Sequence, residues 1–329
     1  MAEGVSPRRA LVTGISGQDG SYLAELLVAE GYDVSGVVRD PVDRELPNLA
    51  AVRDRLSLLP GDLHEPGTLA DALSAVRPHE LYHLAAPTFV PTSWDDPRAV
   101  LDAIAGATAD LLGAARALDP EMRMFVATSA EIFGDAGEAP QDERSPMRPR
   151  SPYGVAKLAA HGLVGALRER FGTFAVSGIT YNHESPRRPQ HFLPRKVTRG
   201  AAAIALGLED ELVLGDLGAV RDWSHAADVM QGAWLSLQAA TPHDFVFASG
   251  TGRTVGDLVD VAFAAAGISP EGRIRVDPSF VRPAEPTPQI GDASRARREL
   301  DWTPKITFEA MIGEMVATDL AELRAAGDG

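Results

Sequence analysis

The stretch that most restricts the fold runs from Ala10 to Val38. A short apolar run, Ala10 to Thr13, meets Gly14-Ile-Ser-Gly17-Gln18-Asp19-Gly20; an amphipathic segment follows from Ser21 to Glu30, Gly31 stops it, and a second apolar run spans Val34 to Val38. Strand, glycine turn, helix and glycine stop make the first half of a βαβ unit. A turn of this kind lets backbone approach a pyrophosphate closely and leaves the anion on the helix N-terminus. The spacing is G-x-x-G-x-x-G, and many glycine turns are only turns. The strand before it and the helix after it are what point to a dinucleotide site.

The alternation continues. Leu56 to Leu59 reads as a strand ending in Gly61-Asp62-Leu63, Gly67 to Val76 as a helix, and Glu80 to Ala85 as a strand ending in Leu84-Ala85-Ala86. A long alanine-rich helix covers Ala99 to Leu118, and Met122 to Ser129 forms the next strand. The pattern predicts an α/β fold, a doubly wound parallel sheet of the Rossmann type with helices on both faces. Ligands of such sheets lie at the carboxyl ends of the strands, so Gly14, Asp62, Ala85 and Ser129 are expected on one rim. After a helix to about Arg170 and a strand over Phe174 to Tyr181, Asn182 to Arg188 reads as a polar, proline-broken loop. From there the pattern is mixed. We assign 1–181, with later returning segments, to the dinucleotide-binding domain and 182–329 mainly to a smaller, discontinuous α/β substrate domain.

Composition limits what such a chain can do. Across 329 residues a hydrophobic share of 45% and a charged share of 23% are ordinary for a soluble globular protein. No cysteine is present, which removes disulfides, thiolate catalysis and Cys-ligated metals and fits a cytoplasmic location. No metal site is expected. A formal charge of −15 repels polyanions and argues against nucleic acid as a partner. No apolar run reaches membrane-spanning length, and Pro7-Arg8-Arg9 leads into a strand rather than a signal peptide, so a soluble, unprocessed protein is expected.

Chemistry is concentrated between Ser129 and Lys157. Tyr153 and Lys157 are four residues apart, on one face if the segment is helical, where an ammonium can approach a phenol oxygen and favour the phenolate. The same spacing also describes a surface Tyr–Lys pair. Glu131 beside Ser129 is either an acid/base or a solvated carboxylate at a strand end. Arg187, Arg188, Arg195, Lys196, Arg221 and Arg282 could gather around phosphates, though each taken singly also reads as a surface ion pair. Ser93 could touch a sugar or simply close a turn.

Taken in order, the glycine turn, Asp62, Leu84-Ala85-Ala86, Ser129 with Glu131 and Tyr153-x-x-x-Lys157 resemble the extended short-chain dehydrogenase/reductase family of nucleotide-sugar epimerases and dehydratases. Thr13-Gly-Ile-Ser-Gly-Gln-Asp-Gly-Ser-Tyr-Leu-Ala24, Arg150-Ser-Pro-Tyr-Gly-Val-Ala-Lys-Leu158, Asn182-His-Glu-Ser-Pro-Arg-Arg188, Arg221-Asp-Trp223, Arg282-Pro-Ala-Glu285 and the string from Gly291 to Trp302 are similar to its GDP-mannose 4,6-dehydratase branch, over nearly the whole chain. The resemblance implies a lyase that moves a hydride from C4 to C6 of a GDP-sugar and expels water, with Tyr153 as base at the 4-hydroxyl and Ser129 on the 4-oxygen. Lys157 would bind the nicotinamide ribose and lower the phenol pKa, and Glu131 would act as acid/base at C5. Cofactor contacts are implied for Gly14, Gly17, Gln18, Asp19, Gly20, Arg39, Asp62, Leu63, Leu84, Ala85, Ala86, Tyr153, Lys157, His183 and Arg188, and substrate contacts for Ser93, Asn182, Arg195, Lys196, Arg221 and Arg282. Arg39 after the second strand favours NADP over NAD, despite Asp40 beside it. Two positions depart from the branch: Ala130 where a serine is usual, and Ile104 where Asn or Asp is common. A homodimer or homotetramer is expected. Glu131 separates the dehydratase reading from a 4-epimerase or a 4-keto-6-deoxyhexose reductase of the same fold, which have little use for it. A non-catalytic NADP-binding regulator would need none of the four residues.

Overall fold

The first strand shows how the chain builds its layers. In β1 (Arg9–Thr13), Ala10 and Val12 face one hydrophobic core and Leu11 faces another, as the two-residue period of a strand requires. This is a computed structural model, and it describes residues 7–40, 45–65, 67–280 and 287–327. After β1 come α1 (Gln18–Ala29), β2 (Asp33–Val38), β3 (Leu56–Pro60), α2 (Thr68–Val76) and β4 (Glu80–His83). A helical run then passes from α3 (Pro97–Leu101) through a π-helical turn, Asp102–Gly106, into α4 (Ala107–Leu118). The long helix expected over Ala99 to Leu118 is therefore present but interrupted. β5 (Arg123–Ser129), α5 (Pro152–Phe171) and β6 (Ala175–Thr180) follow.

Beyond residue 180 the chain adds β7 (Asn182–Glu184), α6 (Leu193–Ala205), β8 (Leu212–Leu214), β9 (Val220–His225), α7 (Ala226–Gln238), β10 (Phe245–Phe247) and β11 (Gly252–Thr254). It ends with α8 (Val255–Ala265), β12 (Ile274–Val276), α9 (Ser294–Leu300) and α10 (Phe308–Gly327). Seven strands form one parallel sheet in the order β10-β6-β5-β4-β1-β2-β3. One face packs on α1 and α7, the other on α2, α4 and α5. All strands run the same way, so the ends of β1, β3, β4 and β5 share one rim, as expected from sequence.

The remaining elements build a second core. Helices α6, α8 and α10 pack together over Val197, Leu258, Phe263, Met311 and Met315, with β8 and β9 beside them. Asn182 to Glu184, expected as loop, instead pairs in parallel with Trp223 to His225 of β9. Strand β9 also pairs antiparallel with β11. This small sheet ties the end of β6 to the second core. Among the described residues no helix is long and apolar enough to cross a membrane, and no group of three or more His, Cys, Asp or Glu could hold a metal ion.

Candidate active site

The glycine turn has the form a dinucleotide needs. Gly14 has φ +71°, and a Cβ there would lie 2.9 Å from the Ala85 nitrogen, so only glycine lets the turn nest against the loop after β4. Gly17 caps α1, its N–H reaching the Gly14 carbonyl at 3.0 Å, and a Cβ on Gly20 would strike the same carbonyl. Thr13 fixes the facing loop: its Oγ1 accepts from the N–H groups of Leu84 and Ala85 at 3.1 and 3.2 Å. With both acceptor positions filled, its one proton points to His83 Nδ1 at 2.8 Å. His83 is thereby held neutral, its pKa lowered to about 3 by burial and by the charge of Lys157. This histidine was missed in the sequence, although it directly precedes Leu84-Ala85-Ala86.

Farther along the rim, Arg39 at the end of β2 is exposed, beside a cavity of about 200 Å³ that it lines with Ser16, Val38, Glu45, Leu46 and Pro47. Asp62 turns its carboxylate on its own loop, accepting from the His64 N–H at 2.9 Å, with Leu63 half-buried between them.

Helix α5 is placed by its first turn. Ser151 caps it, accepting from the Gly154 N–H at 3.0 Å, and Pro152 supplies a preset φ at the first helical position. Tyr153 and Lys157 thus fall on the face toward β5. Lys157 donates to the Ala127 carbonyl at 2.7 Å, and its Nζ lies 5.8 Å from the Tyr153 ring centre. The Tyr153 phenol shares a hydrogen bond with the Ser129 hydroxyl, and the Glu131 carboxylate lies within electrostatic reach of it. Ser129 also receives the Glu131 N–H at 3.3 Å. The geometry therefore brings Ser129, Glu131, Tyr153 and Lys157 into one cluster.

Burial sets the proton affinities there. It pushes the Tyr153 phenol well above its ordinary value, with Glu131 acting the same way and the Ser129 hydrogen bond opposing. It also lowers Lys157 to about 8. Lys157 was expected to lower the phenol pKa; here taking the phenolate out of water outweighs the contacts that favour it. Ile104, in the π turn, packs with Ala156 and Ala160 against Tyr153 and adds to that apolar wall.

Opposite lies the 182–188 segment. Each His183 nitrogen is engaged, Nδ1 with the Tyr181 carbonyl at 2.7 Å and Nε2 with Asp19 at 2.9 Å. Arg188 pairs with buried Glu184 at 3.1 Å and stacks 3.7 Å over Phe192, its charge reaching Tyr153 and Asp19.

The substrate-side residues divide. Asn182 opens β7 opposite Trp223, two register positions from Arg221 on β9, whose Nη1 donates to the Val220 carbonyl at 2.8 Å. Ser93 is buried and donates to the Val90 carbonyl at 2.7 Å, closing a 3-10 turn. Lys196 donates to the Val213 carbonyl at 2.8 Å and lies 5.0 Å from the Phe280 ring. Arg195 requires a correction. It is buried between α6 and α10, bonded to Asp319 at 2.8 Å and Glu322 at 2.9 Å, so its charge serves the second core rather than a phosphate. Arg282 and its Arg-Pro-Ala-Glu string lie outside the described residues.

A parallel sheet with a glycine cradle at one strand end and a serine–tyrosine–lysine cluster at another defines a short-chain dehydrogenase/reductase fold with an extended second unit. A family model described as GDP-mannose 4,6 dehydratase matches residues 11–315. The chain is 39% identical to GDP-mannose 4,6-dehydratase of Yersinia enterocolitica, over 96% of this chain and 95% of the relative. Among solved structures it resembles RMD from Pseudomonas aeruginosa complexed with NADPH, with TM-score 0.80 and 26% identity over 96% of this chain and 99% of that one. It also resembles the Thermus thermophilus UDP-glucose 4-epimerase in complex with NAD, with TM-score 0.79 and 25% identity over 94% and 98% of the two chains. The chain belongs to the GDP-mannose 4,6-dehydratase family.

Proposed function

We propose that this enzyme converts GDP-mannose to GDP-4-keto-6-deoxymannose with loss of water, using NADP held at the Gly14–Gly20 turn. The reading rests on one observation above the others: a carboxylate, Glu131, stands within electrostatic reach of the tyrosine of an oxidising centre, and Ser129 bonds to that tyrosine's phenol and to the Glu131 backbone N–H. Oxidation at C4 needs only the tyrosine, whereas elimination across C5 and C6 needs an added acid/base.

A nicotinamide dinucleotide, when bound, takes the hydride from C4 and returns it to C6. Tyr153 takes the 4-hydroxyl proton while Ser129 holds the 4-oxygen. The ketone acidifies C5, Glu131 removes the C5 proton, and the same carboxyl delivers a proton to the departing C6 hydroxyl, which leaves as water. The proton taken by Tyr153 balances the one C5 regains as C6 is reduced. Ala130 brings no second acid, so Glu131 serves in both directions. Gly14 and Gly20, where a Cβ would strike the backbone of Ala85 and of Gly14, keep the turn tight enough to suit the pyrophosphate, and Arg39 beside its cavity suits a 2′-phosphate. Comparing NADPH with NADH in a binding titration tests that choice. We keep Asn182 and Arg221 as nucleotide-diphosphate contacts.

The function is tested by incubating the purified enzyme with GDP-mannose without added reductant and following product mass. A product lighter by one water, carrying a ketone, is expected. A product of unchanged mass with inverted C4 overturns the reading in favour of an epimerase. We further propose a cytoplasmic homo-oligomer. Val155 and Phe171, 45% and 51% exposed on α5, offer it apolar surface, and light scattering measures its size.

A further inference from the structure

The segment that leaves β6 crosses directly over the first turns of α1 and is fastened there by side chains on one helix face. Gln18 Nε2 donates to the His183 carbonyl at 3.0 Å, and the Ser185 hydroxyl donates to Gln18 Oε1 at 2.9 Å. Arg187 donates to Ser21 at 3.0 Å and to Glu25 at 2.7 Å, lying 3.9 Å over the Tyr22 ring. At the centre is the half-buried contact of His183 with Asp19. Asp19 is an oddity where it stands. A carboxylate in the first turn of a helix whose N-terminus is shaped for an anion repels that anion.

The hydrogen bonds of His183 resolve the conflict. Its Nδ1 faces the Tyr181 carbonyl, which can only accept, so Nδ1 carries a proton. Its Nε2 faces the Asp19 carboxylate, held at a pKa of about 2 by His183, Gln18 and Arg188 against the cost of burial, so that nitrogen also carries a proton. Two acceptor-only partners require the imidazolium form. Burial alone lowers the His183 pKa, but the charge and hydrogen bond of Asp19 raise it on balance. The charged groups around the ring are Asp19 on α1 and Glu184 and Arg188 on its own segment, and Lys157 on α5 acts on Asp19.

We propose that His183 is a positioning residue: as an imidazolium bridging the Tyr181 carbonyl and Asp19, it cancels the carboxylate's charge inside the anion cradle and clasps the 181–187 segment over it, so that a dinucleotide leaves only when the pair parts. The consequence for the dinucleotide rests on the cofactor reading above. It suits a redox-neutral cycle, which never needs to exchange the cofactor. Because the folded-state pKa is raised, the clasp is complete below the ordinary histidine value and is lost as pH rises through the raised one.

Two measurements test this. Nitrogen shifts of ¹⁵N-histidine-labelled protein distinguish imidazolium from neutral imidazole, with His183→Gln identifying the His183 signal among the eight histidines. His183 is expected to be imidazolium at neutral pH in the wild type and neutral in Asp19→Asn. If all eight wild-type histidines are neutral at neutral pH, the proposal falls without any variant having to fold, and with the signal assigned a neutral His183 overturns it. The second measurement is the rate at which bound NADPH is chased off by excess NADP. His183→Gln should release it about tenfold faster or more. The wild-type rate should climb with pH through the His183 titration while the variant's stays flat. Equal rates and equal pH profiles overturn the clasp. A wild type that binds no NADPH overturns the cofactor reading and the retention claim with it, while the nitrogen shifts still judge the ion pair.

Discussion

Tyr153 and Lys157 sit one helical turn apart, yet burial moves their proton affinities in opposite directions, because it penalises whichever form is charged. For Lys157 this gives a pH signature. Its folded pKa is about 8 against 10.5 when exposed, so in that window the unfolded chain holds a proton that the folded protein lacks, and stability rises with pH. In urea titrations of the cofactor-free protein, wild type should gain on Lys157→Met by on the order of 1 kcal/mol per pH unit across it. Glu131 has a different signature. Glu131→Gln keeps the site's shape and removes the proposed acid/base, so dehydration should fall by roughly 10²- to 10⁴-fold while GDP-mannose still reduces bound cofactor, seen as nicotinamide absorbance that persists. All four residues of this cluster were legible in the sequence, since Tyr153 and Lys157 are joined by helical spacing and Ser129 and Glu131 by a strand end. The sign of the tyrosine shift was not, because desolvation depends on walls such as Ile104 that lie elsewhere in the chain.

Among elements, the contact of α5 with the turn after β5 governs the site. A Cβ on Gly154 would lie 2.6 Å from the Glu131 carbonyl and 3.1 Å from Pro149, and the nearer obstacle is backbone that cannot swing aside. Gly154→Ala should therefore lever Tyr153 away from Glu131, lowering kcat by about tenfold or more even though alanine favours a helix. By contrast, Gly313 in α10 has open space around its missing Cβ, and Gly313→Ala should stabilise by about 1 kcal/mol in thermal or urea melts. The tie between α6 and α10 is the ion pair of Arg195 with fully buried Asp319. Arg195→Ala strands that carboxylate and should destabilise by roughly 3 to 5 kcal/mol, and adding Asp319→Leu should recover much of the loss. Strand and helix positions along the large sheet were readable from period and glycine stops. Strand β7 was not: Asn182-His183-Glu184 is polar and proline follows closely, and only its partner, Trp223 to His225, makes it a strand.

At the scale of the whole molecule the two cores are interleaved along the chain. Helix α7 and β10 return to the large sheet after the second unit has begun, and α10 then closes that unit over Met311, Ile312, Met315 and Val316. Burying four such side chains contributes on the order of 10 kcal/mol, as much as an entire domain's net stability. A chain ending at Thr307 should therefore lose the second core, becoming protease-sensitive across α6 and α8 while peptides of the large sheet resist longer.

What the sequence determined by itself is the part written in local physics. Two-residue and helical periods, the Gly14 turn, the Ser151-Pro152 cap and the Tyr153–Lys157 spacing each act within a few residues, and together they specified the parallel sheet, its rim and the cluster of Ser129, Glu131, Tyr153 and Lys157. The tertiary structure alone decided which charges those residues meet. Arg195 finds Asp319 at 124 residues' separation and Asp19 finds His183 at 164, so one cation expected at a phosphate belongs to a core and one histidine is fixed between two acceptors. No local pattern encodes such pairs. They follow from which surfaces are driven together by burial, and burial then sets how strongly each charge is felt.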